Sequence, residues 1–261
     1  MSLEYLLTIT KQTEIIPGIY ELCLYGDITQ QPIKPGQFVD IKIPDDAHLL
    51  RRPFGIAHVD RQNKTITLLY RVVGKGTAYL SRCPLKTELS VLGPLGNGYP
   101  SDHLMPGQNA LIIGGGTGIP PLYELSRQLV AKNINVHHVF GFANQAAIFY
   151  EAPFRALGPV SYATNDGSYG YHGHVGLLLD AQFADAVSHY DAVYACGPKG
   201  LLMAVDSRFS KHPHAYISLE ERMACGIGAC YACVTKLRRN PDIQLKICDD
   251  GPVFKTNEVL I

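Results

Sequence analysis

Through the first hundred residues, apolar and polar side chains alternate in short runs. LLTITKQTEI, IYELCLYG, GQFVDIKI, FGIAHVD, TITLLYRVV and ELSVLGPLG each read as a strand, and Pro-Gly and Gly-Asn pairs punctuate them. Six short strands at this spacing predict a small antiparallel β-barrel. SDHLMPGQN then reads as a linker. From Ala110 the period changes. The run ALIIGG leads through a glycine turn into PPLYELSRQLVAKN, whose apolar positions recur at helical spacing. NVHHVFGF, SYATND and DAVYACG are further strands, with LLLDAQFADAV and GLLMAVDSRF as helices between or after them. Strands alternating with helices predict a parallel α/β sheet. AYISLEER leads into a tail of 43 residues from Leu219, too short to stabilise itself by core burial and so in need of a metal or of packing against the rest. The expected division is a barrel over 1–101, an α/β domain over 102–217 and a cysteine-rich domain over 218–261.

Composition narrows the functional classes. With 46% hydrophobic residues in 261 the chain can bury a substantial core. The 23 basic residues balance the 23 acidic ones without long runs of either sign, so neither a nucleic acid nor an anionic membrane is an expected partner. No apolar run approaches the roughly 20 residues that span a bilayer, and MSLEYLLTIT carries no basic flank. The expectation is a soluble, unprocessed, cytoplasmic protein. Of seven cysteines, four crowd into the last 37 residues, a distribution that suits a local metal site better than a disulfide framework.

That tail is the most specific signal. Cys225, Cys230 and Cys233 follow a C-x4-C-x2-C spacing, and fourteen residues separate Cys233 from Cys248; this is the ligand arrangement of a plant-type [2Fe-2S] cluster. Gly226, Gly228 and Ala229 let such a loop wrap tightly and aim N–H groups at the sulfurs. Structural zinc is the alternative, although it usually takes its four cysteines as two separated C-x2-C knuckles.

Two glycine turns suggest nucleotide sites. Leu69-Tyr70-Arg71 ends a strand before Gly74-Lys75-Gly76-Thr77, and a short helix opening at Thr77 would offer free N–H groups to a phosphate. Arg52 and Arg71 can add charged contacts, and Phe54 and Tyr70 can flank a planar ring. In the second half, Gly114-Gly115-Gly116-Thr117-Gly118 joins a strand to a helix, as a pyrophosphate-binding turn does, though Ile119 stands where a third fingerprint glycine belongs. Cys196-Gly197-Pro198 ends another strand, and Thr164-Asn165-Asp166 follows a third, where dinucleotide clefts collect contacts. No arginine lies in GFANQAAIFYE to hold a 2′-phosphate, which favours NAD(H) over its phosphorylated form. His137 and His138 lie in a strand and His172, His174, His212 and His214 in polar loops; without a converging acid or nucleophile none is expected to be catalytic.

The order of these pieces resembles the ferredoxin reductase superfamily. By that resemblance Arg52, followed by Pro53, contacts FAD phosphate, Phe54 lies against the isoalloxazine, Gly76 and Thr77 open the phosphate-binding helix, and Cys196-Gly197-Pro198 lies beside the nicotinamide. The superfamily's serine or threonine near flavin N5 is Gly55 here, so a hydrogen bond to N5 would have to come from backbone. LLRRPFGI, LLYRVVGKGT, VLGPLGNGYP, GGGTGIPPL, ACGPKGLL, LEERMACGIGACYACV and CDDGPVF, in this order, resemble the electron-transfer subunits of the NAD-dependent dihydroorotate dehydrogenases. That resemblance implies a flavin-binding β-barrel, a Rossmann-like nicotinamide domain and a C-terminal cluster domain. It also implies FAD, [2Fe-2S] and an FMN-containing catalytic partner in a heterotetramer of two copies of each, serving pyrimidine synthesis. A related small subunit, of NADH-dependent ferredoxin:NADP oxidoreductase or a hydrogenase-linked reductase, and a zinc-stabilised nucleotide-binding module are the alternatives.

Overall fold

The alternation in the amino-terminal half closes a barrel. Its strands are β1 (Leu3–Ile16), β2 (Ile19–Tyr25), β3 (Phe38–Ile41), β4 (Arg52–Asp60), β5 (Thr65–Arg71) and β6 (Glu88–Leu95). They pair antiparallel in the closed order β1-β2-β5-β4-β3-β6, with Leu3 to Thr8 returning against Gly93 to Glu88. Every second residue points inward: Leu22 and Leu24, Val39 and Ile41, Phe54 and Ile56, Ile66, Leu68 and Tyr70, and Leu89 and Val91 form one buried cluster. Fully burying each aliphatic side chain contributes about 1.5–3 kcal/mol. Between β5 and β6 lies a single short helix, α1 (Lys75–Leu80). It opens two residues before the expected Thr77, because the Thr77 hydroxyl reaches back to accept the N–H groups of Val73 (3.0 Å) and Gly74 (3.2 Å).

The second half builds β7 (Asn109–Gly115), α2 (Pro121–Ala131), β8 (Asn135–Phe142), α3 (Glu151–Arg155), β9 (Val160–Thr164), β10 (Tyr171–His172), α4 (Val175–Gln182), α5 (Ala186–His189), β11 (Ala192–Cys196), α6 (Lys199–Arg208) and β12 (Ala215–Ser218). The seven-stranded sheet runs β10-β9-β8-β7-β11-β12-β15, with β15 (Val253–Lys255) the antiparallel edge. Residues of β7 and β11 are buried almost without interruption, as central parallel strands require. The segment LLLDAQFADAV is not one helix. Phe183 leaves α4 at φ −128°, and its ring packs edge-on to His137 at 5.1 Å, so burial of the ring overrides helix continuation. AYIS, expected only as a lead into the tail, is the strand β12. His212 sits buried instead of in a solvated loop, its Nε2 at 2.9 Å from Tyr190 O.

This computed structural model describes residues 3–45 and 47–261. They fall into two compact units: one comprises the chain up to Gly98 with Glu220–Val234 and Leu245–Pro252, the other Tyr99–Leu219, Thr235–Gln244 and Val253–Ile261. The cysteine-rich tail is thus divided. Its ligand-bearing stretches join the barrel unit, where Asn97 N–H donates to Gly251 O at 2.7 Å, while β15 completes the α/β sheet. A hairpin of β13 (Val234–Leu237) and β14 (Asn240–Lys246) separates the two ligand-bearing stretches. Among the described residues no helix is long and apolar enough to cross a membrane.

Candidate functional site

Cys225, Cys230 and Cys233 lie on an irregular loop and Cys248 in the turn after β14, all within the barrel unit. A main-chain bond from Ile247 N to Cys233 O (2.8 Å) ties the two stretches together. Gly226 and Gly228 take left-handed φ values of +69° and +79°, and a Cβ on Gly228 would stand 2.6 Å from Asp249 Oδ2. Those two turns expose N–H groups to sulfur: Gly228 N reaches Cys248 Sγ at 3.1 Å and Cys230 N reaches Cys225 Sγ at 3.4 Å. Burial opposes ionisation of Cys225, but the N–H groups of Ile227, Cys230 and Ala229 and the Cys230 thiol outweigh it and lower the pKa. Burial, and then the Cys233 thiol beside it, push Cys248 up.

Cys225 interacts with Cys230, and Cys248 with both Cys233 and Cys225, so the four thiols act on one another as one group. Two thiolates for each of two irons is the donor set of a [2Fe-2S] cluster, whereas zinc takes four around one point. Among the described residues, no group of three metal-ligating side chains is gathered closely enough to hold a metal ion. Cys233 and Cys248 are buried, and Cys230 is exposed between the exposed side chains of Ile227 and Tyr231.

On the barrel, β4 and β5 bring the expected flavin residues together. A Cβ on Gly76 would meet Arg52 Nε at 3.0 Å, so glycine there admits the Arg52 guanidinium against the opening of α1. Arg52 Nη1 donates to Leu50 O (2.6 Å) and Arg51 O (3.2 Å), which fixes its direction. Thr77 is buried in the same turn, and Arg71 is exposed. This cradle fits a diphosphate. Phe54 and Tyr70 point into the barrel core, rings 5.4 Å apart, and the Tyr70 hydroxyl is buried without a hydrogen-bond partner. By strand alternation Pro53, Gly55, Leu69 and Arg71 lie on the outer face. The resemblance would set Phe54 against the flavin ring; the structure turns it inward.

In the α/β unit the two glycine motifs meet. β7 and β11 are parallel neighbours with Gly114 beside Cys196. A Cβ on Gly118 would stand 2.5 Å from Gly197 N and 2.6 Å from Cys196 C, and one on Gly115 would stand 2.9 Å from Pro198 Cδ. Gly114 to Gly118, with Thr117 among them, and Cys196 to Pro198 thus meet at the carboxyl ends of two neighbouring parallel strands, the place where open α/β sheets bind ligands. Asp166 lies two strands away, beyond β8, and its carboxylate accepts from the hydroxyl (2.6 Å) and N–H (3.0 Å) of Ser168, which lowers its pKa. Arg155, just past GFANQAAIFYE, is held by Glu151 Oε1 (2.8 Å) and Tyr169 Oη (3.1 Å).

One buried ionisable group at this site escaped the sequence reading. Asp40 is 1% exposed, and burial, opposed by the nearby charges of Arg51 and Arg52, raises it to about 6. Its only signal was a lone acid in the apolar run GQFVDIKI.

Two family descriptions match the chain: the iron-sulfur cluster binding domain of dihydroorotate dehydrogenase B over residues 220–260, and the oxidoreductase NAD-binding domain over residues 112–207. The chain is 48% identical over 258 residues, 98% of both chains, to the dihydroorotate dehydrogenase B (NAD(+)) electron transfer subunit of Enterococcus faecalis. It is 45% identical over 262 residues, 100% of both, to the protein of that name from Streptococcus mutans. Among solved structures it resembles a chain of the NADH-dependent reduced ferredoxin-NADP oxidoreductase, with TM-score 0.86 and 26% identity over 98% of this chain and 90% of that one. The ferredoxin reductase of carbazole 1,9a-dioxygenase shares the fold, at TM-score 0.71 and 17% identity over 82% and 67%.

Proposed function

The chain belongs to the family of electron-transfer subunits of dihydroorotate dehydrogenase B (NAD(+)), and on that premise we propose which residues carry the electrons and what receives them. It is an oxidoreductase subunit with FAD, a [2Fe-2S] cluster and NAD as its redox groups, and it works with a catalytic partner subunit. The observation that carries the residue-level reading is the seating of all four cysteines in the same compact unit as the flavin barrel. Bound FAD supplies hydride exchange with nicotinamide and single-electron exchange with the cluster.

This chain's residues bind and orient those groups. Arg52, Gly76 and Thr77 hold the flavin diphosphate, and the outer face carrying Pro53, Gly55, Leu69 and Arg71 takes the flavin ring, with Phe54 and Tyr70 bracing it from within. Gly114 to Gly118 receive the dinucleotide pyrophosphate, and Cys196 to Pro198 the nicotinamide. Asp166 flanks the cleft at the end of β9. Arg155, already occupied by Glu151 and Tyr169, offers no grip on a 2′-phosphate, which supports NADH as the donor form. Cys225, Cys230, Cys233 and Cys248 ligate the cluster, and the edge at Cys230, Ile227 and Tyr231 faces the partner. The partner carries FMN and the orotate chemistry, in an assembly of two copies of each subunit. We retain 1–101, 102–217 and 218–261 as the flavin, nicotinamide and cluster pieces of function, although the last is divided in packing.

The test is reconstitution. Alone, the chain with its cofactors oxidises NADH with a dye as acceptor and leaves dihydroorotate untouched. Co-expressed with a dihydroorotate dehydrogenase catalytic subunit, it gives NAD-linked turnover. Turnover of dihydroorotate by the isolated chain overturns the partner assignment. So does stable pairing with a ferredoxin:NADP oxidoreductase subunit alone, the reading that the 0.86 TM-score favours next.

A further inference from the structure

Asp40 occupies a position that the flavin and cluster motifs leave unexplained. In β3, Val39 and Ile41 point into the barrel core, so Asp40 points outward. An outward aspartate on a barrel strand belongs in water, yet this one is 1% exposed. The cysteine loop covers it: a Cβ on Gly226, the residue after Cys225, would stand 2.6 Å from Asp40 Oδ2 and 3.4 Å from Leu95 Cδ1. On the strand itself Asp40 pairs with Pro53 of β4, inside the flavin motif, and with Leu92 of β6. The carboxylate therefore lies between a flavin-motif strand and the segment that starts the cluster ligands.

Among the described residues, no cation is bonded to it. Oδ1 is buried without a hydrogen-bond partner. Arg51, the nearest candidate, donates instead to the main-chain O of Asp40 (3.3 Å), Ser90 O (2.9 Å), Ser90 Oγ (2.8 Å) and Glu4 Oε1 (2.8 Å). Arg52 Nη1 is turned to Leu50 O and Arg51 O. Arg51 and Arg52 are the charges that act on the carboxylate, and they act through space. A charge left without a bonded partner in a buried place costs stability. Bracing of the loop alone would be served as well by a neutral side chain of the same shape.

We propose that Asp40 is a residue that tunes electron transfer, its buried carboxylate against Gly226 setting the reduction potential of the cluster held by Cys225, Cys230, Cys233 and Cys248. Reduction adds one electron, and hence one negative charge, to the cluster. A carboxylate fixed behind the ligand loop in a poorly screened place opposes that charge and keeps the potential low. Gly226 is then glycine for two reasons, its left-handed φ and the oxygen that occupies the space of a Cβ.

The inference rests on the cluster reading, and one experiment separates the two. The full chain, loaded with FAD and iron, is titrated electrochemically while the cluster is followed by EPR, for the wild type, Asp40→Asn and Asp40→Ser. Asp40→Asn keeps the shape and removes the charge. The expected result is normal iron and FAD content with the cluster midpoint displaced to more positive potential in both variants, a displacement that added salt does not erase. An unchanged midpoint overturns the proposal. Loss of iron from both variants overturns it too, since Asp40 would then be only a brace for the loop. A wild-type chain without a [2Fe-2S] signal overturns the cluster reading itself.

Discussion

Gly118→Ala tests whether the meeting of the two glycine motifs makes the dinucleotide site. The added methyl carbon would stand 2.5 Å from Gly197 N, 2.6 Å from Cys196 C and 2.6 Å from Gly197 Cα. All three are main-chain atoms of the neighbouring turn, so no side chain can rotate away; one of the two turns has to move. Overpacking of this kind costs about 1–3 kcal/mol. Where that cost falls on the shape of the cleft it appears as weaker NADH binding, by about five- to 150-fold. Steady-state oxidation of NADH with a dye acceptor reads it as a raised KM, while FAD and iron content, which belong to the barrel unit, stay normal. Gly200→Ala is the control. It adds a methyl with nothing within 4 Å, in the first turn of α6, and leaves KM alone. A wild-type KM and wild-type stability in Gly118→Ala refute the reasoning.

Cys230→Ser loses iron and partner-directed turnover but keeps FAD and NADH-to-dye activity; a cluster EPR signal persisting in Cys225→Ser, Cys230→Ser and Cys233→Ser alike sinks the ligand assignment. Arg52→Ala removes a charged phosphate contact worth about 1.5–3 kcal/mol, so FAD affinity, read by flavin fluorescence, falls by about ten- to 150-fold. Normal flavin content after gel filtration would reduce Arg52 to a barrel residue. His138 gives a pH prediction. Burial of its ring, bonded to Pro159 O (3.2 Å) and Ser126 Oγ (3.1 Å), lowers its pKa from 6.5 to about 4. Between those values the unfolded chain takes up a proton that the folded chain refuses. The contribution of His138 is therefore complete above pH 6.5 and falls away towards pH 4, by about 3 kcal/mol in all. Urea denaturation at pH 7 and pH 4.5 measures it, and a His138→Gln variant with the same pH slope as wild type contradicts it.

Most of the fold was legible because it is written in local periods. The barrel strands alternate cleanly, and the central strands of the sheet are continuous apolar runs, so their number and type followed from spacing. The errors came where tertiary packing overrides a local pattern. Phe183 breaks a helix to bury its ring beside His137, and His212, in a polar stretch, is drawn inside by Tyr190 O. β12 and β15 are three or four residues long and become strands only because the sheet edge supplies their partners. The tail's need for outside support could be argued from its length, but not that its halves would join different units.

The candidate site divides along the same line, for a physical reason. Side-chain chemistry leaves a signature in sequence, and four cysteines at cluster spacing announce themselves. The other half of the site is made of glycines that let a distant part of the chain, main chain or side chain, come close. Gly118 is needed because Gly197 lies where its side chain would go, Gly76 because Arg52 crosses it, and Gly226 because Asp40 lies behind it. Each of those glycines was visible as a motif letter, but the residue that requires it lies between 24 and 186 positions away in the chain. Hydride and electron transfer between bound cofactors need placement more than acid–base groups. A site of that kind spends few conspicuous side chains and many close backbone contacts. Its chemistry can be named from the cysteines alone, whereas the pairing that shapes it, Asp40 with Gly226 above all, becomes visible only once the strands are in register.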